Sequence, residues 1–260
     1  MFRPIGRDWH VTIGSLRDPG VGHRVAAIGL AAVAAYVLYA WLLFPVTTAR
    51  VRIGMDLTVG GVTRSASNVV ELRSRAGLGL AGLSGPRSPV IRGEAVTLTL
   101  GRHALLVMLL KPVDPNVPPD WPLRQLIAAA GGDAHGPLEA AIAWLARQSG
   151  RFDITHTTTA FGSETRPLHP DLIFLPDRRL FRDGMPAATA WRTVDPDAVD
   201  AVIGTDGARL VVWLEPVARV RPITRGDLAL HLPAFELFWL RHVLSERQPE
   251  GLRPANFKGP

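Results

Sequence analysis

Between Val25 and Val46 lie 22 consecutive residues without a charge, VAAIGLAAVAAYVLYAWLLFPV. A helix of that length rises about 33 Å, against a hydrocarbon core of roughly 30 Å. The run therefore predicts one N-terminal transmembrane helix. Tyr36, Tyr39 and Trp41 crowd its C-terminal half, where aromatic rings favour the membrane interface. Pro45 breaks the helix near its exit. A buried core helix is the bland alternative, but uncharged runs beyond ~18 residues are read first as spans. A cleaved signal peptide is the nearer rival. Its apolar region runs about 7–15 residues and ends in small residues, and Thr47-Thr48-Ala49 is a poor match.

Orientation is less constrained. Arg7, Arg17 and Arg24 precede the span, and Arg50, Arg52 and Arg64 follow it, so local positive charge favours neither direction. A short leading tail and a 214-residue following segment favour an inner-membrane, single-pass protein with its C-terminal domain outside, because long domains translocate largely regardless of charge. The expected organisation is a tail over 1–24, the span over 25–46, an exported α+β domain over 47–248 and a disordered tail over 249–260.

Composition removes several chemistries. The chain has no cysteine, which excludes disulfides, thiolate zinc sites, iron–sulfur clusters, a cysteine nucleophile and a lipid-anchored cysteine. A hydrophobic fraction of 47% with 20% charged residues argues against disorder. Beyond the span, 25 basic residues meet 21 acidic ones. That balance is too even for a nucleic-acid binder, so no nucleic-acid partner is expected. The expected partners are the bilayer, through the N-terminal helix, and a protein in the membrane or envelope.

Val51 to Val59 alternates apolar and polar residues without a break, the period of a strand with one buried face. Gly60-Gly61 then signals a two-residue hairpin. In that register Val59 meets Val62, Met55 meets Ala66 and Val51 meets Val70, which also turns Arg64 and Asn68 inward unless a bulge intervenes. A Gly-rich loop over 77–89 leads to a second hairpin. There Val96 to Leu100 alternates, Gly101-Arg102 turns the chain, and His103 to Leu110 is apolar on both faces, as in a central strand covered on both sides.

Helices follow. Asp120 is placed to cap one whose stripe is Leu123, Leu126, Ile127 and Ala130. Pro137 opens another with Leu138, Ile142 and Leu145 on one face. Asp195-Pro196 starts a third that ends at Gly204. Ala208 to Glu215 reads as a strand. Strands, helices, strand, helix and strand in this order predict an α+β domain with a largely antiparallel sheet and two to four short helices. Pro233 to Arg247, with Phe235, Phe238 and Trp239 at helical spacing, is too short to span a bilayer.

Three patches carry a resemblance. They are Arg50 to Arg73, with Ser65-Ala66-Ser67; Arg92-Gly93-Glu94-Ala95-Val96; and Val194-Asp195-Pro196-Asp197 through Gly204. Together they resemble an uncharacterised family of short bacterial membrane-anchored or exported proteins, in which a hairpin with a Ser-x-Ser segment precedes an Arg-Gly-Glu-Ala-Val strand. The family has no assigned activity, so the resemblance implies no catalytic residues. The chain departs from it in a shortened first turn and in extra residues after Pro233.

Candidate sites are weak. His156, His169 and Asp171 fall within sixteen residues, and imidazole with carboxylate suits zinc or iron. No His-x-x-x-His pair supports them, and surface or capping histidines are the plainer reading. Ser84 lacks the Gly-x-Ser-x-Gly spacing of a nucleophile elbow, and Ser65 and Ser67 lie within a strand. The glycines of 77–85 lack a Gly-Lys-Ser/Thr step. In Asp177 to Asp183 two aspartates offset three arginines. No cofactor and no catalytic residue is assigned. The expected role is an envelope binding or interaction module. An envelope hydrolase or metal-dependent enzyme, and a structural subunit of a membrane assembly, are the rivals.

Overall fold

A computed structural model describes residues 19–43, 46–75, 90–114, 116–118, 120–161, 164–178, 191–232 and 257–258. The chain divides into two compact units, Met1–Pro45 and Val46–Pro260.

The first unit holds one helix, α1 (Pro19–Leu43). Here the expected fold class is corrected: among the described residues no helix is long and apolar enough to cross a membrane. The helix stops at Leu43, and Val46 already belongs to the sheet, so the end of the uncharged run does not lengthen it. The last three residues of the uncharged run, Phe44 to Val46, lie outside α1, so the uncharged part inside the helix is Val25 to Leu43. Its preceding turn carries His23 and Arg24.

The second unit is α+β with antiparallel sheets. Its first sheet contains β1 (Val46–Val59), β2 (Val62–Arg75), β3 (Val90–Arg92), β6 (Phe152–Asp153) and β11 (Arg209–Val217), in the order β3-β2-β1-β11-β6. The β1–β2 register is the one that the alternation predicts, with Val59 opposite Val62, Met55 opposite Ala66 and Val51 opposite Val70. Gly60 and Gly61 both take positive φ, 56° and 80°, as the primed turn that matches strand twist requires. Pairing runs unbroken from Val59–Val62 to Val46–Arg75, so no bulge rescues the inward polar residues. Asn68 stays buried and donates from Nδ2 to the Ala95 carbonyl at 2.8 Å. That bond offsets the cost of burying an amide.

The strands expected in one sheet sort into two. The second sheet holds β4 (Val96–Leu100), β5 (Ala104–Met108), β9 (Leu172–Leu175) and β10 (Arg192–Thr193), in the order β10-β9-β5-β4. A separate hairpin joins β7 (Thr158–Phe161) to β8 (Glu164–Pro167). β5 is interior to its sheet, and its two apolar faces serve two cores. Leu106 and Met108 join the inward row of β1, namely Val51, Ile53, Met55 and Leu57. Leu105 and Val107 join Ile173, Leu175, Leu228 and Phe257. Phe257, inside the stretch expected to be a disordered tail, is fully buried, and its carbonyl accepts from Ala95 N at 2.6 Å.

Helices α2 (Trp121–Ala129) and α3 (Leu138–Leu145) contribute Leu123, Leu126, Ile127, Leu138, Ile142 and Leu145 to the larger core. Asp120 does not cap α2 with its side chain. Its carboxylate instead accepts from Arg124 Nε at 2.6 Å. Asp195 does cap, accepting from Asp197 N at 3.0 Å at the start of a 3-10 turn, Pro196–Ala198, which leads into α4 (Val199–Ile203). The last described helix is α5 (Asp227–His231). Buried Glu94, in the Arg-Gly-Glu-Ala-Val patch, receives its first N–H groups: Gly226 N and Leu228 N each donate to it at 3.0 Å. That patch thus fastens α5 and Phe257 to the sheet.

Candidate binding cavity

The proposed metal ligands are not brought together. His156 is exposed, and its Nδ1 lies 3.3 Å from an Asp197 carboxylate oxygen. His169 is buried with Nδ1 2.9 Å from the Pro170 carbonyl. Asp171 accepts from Val113 N at 2.9 Å. Each does a local structural task. Among the described residues no three His, Asp or Glu side chains are grouped to hold a metal ion. Ser65 pairs in register with Asp56 on the face of β2 turned away from the main core. Ser84, the Gly-rich loop and the 233–247 segment lie outside the described residues, as do Arg179 to Asp183. Arg178 N donates to the His103 carbonyl at 2.9 Å.

A roomy concavity forms at the turn ends of both sheets. Its volume is about 440 Å³. The β1–β2 hairpin supplies Leu57, Val59, Val62 and Arg64. The β4–β5 turn supplies Leu100, Gly101 and Ala104. β9 adds Phe174, and the end of α4 adds Ile203 and Thr205. Burial along the hairpin falls from Leu57, which is fully buried, to Val62, which is 63% exposed, so the apolar row runs out of the core into an open mouth. Leu100 pairs with Ala104 across a three-residue turn, and the small residues at 101 and 104 leave the floor clear. Thr205 is held by its backbone N–H donating to the Asp200 carbonyl at 3.1 Å.

Among the described residues Arg64 is the single charged side chain in this lining. It stands opposite Leu57, on the inward row that continues as Ala66, Asn68 and Val70. Its hydrogen bond among the described residues is a long one, 3.4 Å from a guanidinium nitrogen to the Thr99 carbonyl. The arginines of the opposite face are bound tightly. Arg50 pairs with Glu71 at 3.1 Å and Arg52 with Glu215 at 3.0 Å, and Arg151 pairs with Asp56. Arg151 also stacks over the Trp213 ring at 4.2 Å. Burial pushes the Asp56 carboxyl up, but hydrogen bonds from Arg151 and Ser65 and the Arg151 charge outweigh it and hold the group below its ordinary value.

Sequence reasoning registered Arg64 only as an irregularity in the alternation. Phe174 and Thr205 gave no signal, and Ile203 only that of a helical apolar stripe, because their role exists only where four separate elements meet. No family model matches this chain, and no curated protein or solved structure matches it significantly.

Proposed function

We propose that the second unit is a non-catalytic binding module at the cell envelope, whose ligand is a small, mainly apolar molecule held in the cavity between the hairpin tips. The cavity is the observation that carries this reading. Its 440 Å³ falls within the roughly 300–1,000 Å³ of small-molecule sites, which are mostly apolar with a few placed polar groups. Leu57, Val59, Leu100, Ala104, Phe174 and Ile203 fit that description, with Arg64 and Thr205 as the polar minority. An enzymatic reading has less support, since His156, His169 and Asp171 are each spent on separate partners. Placement at the envelope is supported by α1, where Ile28, Leu30 and Val33 are at least 63% exposed and apolar surface of that kind favours lipid or protein cover.

The test is titration of a neutral naphthylamine dye into the purified full chain and into Ala104→Phe, which fills the floor of the cavity. Saturable fluorescence enhancement that Ala104→Phe weakens about tenfold or more, with unchanged circular dichroism, is expected. Equal enhancement in both proteins refutes the cavity as the site. Fractionation of expressing cells tests location, and recovery wholly outside the membrane fraction refutes it.

A further inference from the structure

The cavity combines two features that point to one ligand chemistry. Its lining side chains are mostly apolar, and the one charged side chain among the described lining residues is a guanidinium without a carboxylate partner among the described residues. A charge on the inward row of a strand is normally excluded or paired, because an unpaired charge facing a core is costly. Asn68, four residues along the same row, follows that rule by donating to the Ala95 carbonyl. Arg64 does not, and pairing through that position is regular, so no bulge turns it away. The side chain stays solvated at the open mouth while its neighbours Leu57 and Val59 line the interior.

We infer that the cavity binds a single-chain amphiphile with an anionic head, a monocarboxylate of the fatty-acid type, with Arg64 anchoring the carboxylate and the apolar walls taking the chain. This rests on the binding-module reading and names its ligand class. Guanidinium suits the task. It presents donors in a planar fork that matches a carboxylate bidentately, remains charged at any working pH, and gives up its hydration more readily than an ammonium. Thr205, just beyond α4, is the second polar residue of the same lining. The ligand's chain would lie along Leu57, Leu100 and Phe174, where each buried methylene strengthens binding.

The experiment is displacement of the neutral dye from the full chain by octanoate and by 1-octanol, which share a chain and differ in charge. Octanoate is expected to act at about tenfold lower concentration than octanol, as a charge-assisted hydrogen bond provides. Arg64→Gln should erase that gap and leave octanol unchanged, while Arg64→Lys should keep part of it. From hexanoate to octanoate the affinity should rise about fourfold per methylene. Displacement lost equally in Ala104→Phe separates the cavity from unspecific uptake by α1. Equal potency of octanoate and octanol on the native chain overturns the inference, as does an undiminished gap in a folded Arg64→Gln. Should Arg64→Gln not fold, the native comparison and Arg64→Lys decide. If the dye itself does not bind, the binding-module reading fails first, and the two failures are thereby distinguished.

Discussion

A methyl group added at Gly54 reports on how β11 is seated against β1. Gly54 pairs with Trp213 across the two strands, and the indole lies directly over the glycine. A Cβ built there would sit 2.6 Å from Trp213 Cε2 and 2.9 Å from the Ala66 carbonyl oxygen. Non-bonded carbons settle at roughly 3.5–4.0 Å, so the ring must retreat by about 1 Å. Trp213 is only 6% exposed, and the Arg151 guanidinium lies over its ring at 4.2 Å, which leaves it little room. Overpacking of this kind costs about 1–3 kcal/mol. Disturbing the cation–π stack adds about 0.5–1 kcal/mol, and replacing a strand glycine returns about 0.5–1 kcal/mol. The net expectation for Gly54→Ala is a loss of about 2 kcal/mol, or a fall in Tm of about 4–8 °C for a unit of this size. Thermal and urea unfolding of the full chain, followed by far-UV circular dichroism, measures it. The same substitution in a Trp213→Val background should cost under ~1 kcal/mol, because the ring is gone. An unchanged Tm for Gly54→Ala refutes the reasoning. An equal cost in both backgrounds also refutes it, by moving the clash to the Ala66 carbonyl.

Glu94→Ala leaves two N–H groups at the start of α5 without their acceptor. Each buried unsatisfied group costs about 1–3 kcal/mol, so a lower urea midpoint and faster amide exchange at Leu228 are expected, whereas native exchange there would contradict the clamp. Asp56 carries a lowered pKa, so its folded carboxyl holds protons less tightly than the unfolded one. Its stabilising contribution is complete above the ordinary carboxylate value of about 3.9 and is lost as the pH falls through the lower folded value. Asp56→Asn should therefore be less stable than the native chain at pH 6 and lose less stability between pH 4 and 2. Parallel stability–pH curves for the two proteins in that acid range would contradict this.

What was legible from residue order was local. The alternation of Val51 to Val59 with Gly60-Gly61 specified a hairpin and its register, because side chains on a strand switch faces at every residue and a one-residue slip would bury the polar row. The paired apolar faces of His103 to Leu110 announced an interior strand, which the structure shortens to Ala104–Met108, and Asp195 with Gly204 bracketed a short helical segment. The uncharged run did announce a helix, but its length was overread: the chain leaves the helix after Leu43 to enter the sheet at Val46. Asp120 shows the same limit on a small scale, since a capping residue type in the right place was taken by Arg124 instead.

The cavity, the division into two sheets and the seating of Phe257 were decided only in three dimensions. Each depends on segments far apart in the chain: Leu57 with Phe174 and Ile203, or Ala95 with Phe257. Periodicity records which face of an element is apolar, but not which other element covers it. Arg64 lies on the border between the two kinds of information. Its place on an apolar row was visible in the sequence, and the reason that a charge is tolerated there, an inward face left open to solvent where two sheet ends meet, belongs to the tertiary structure alone.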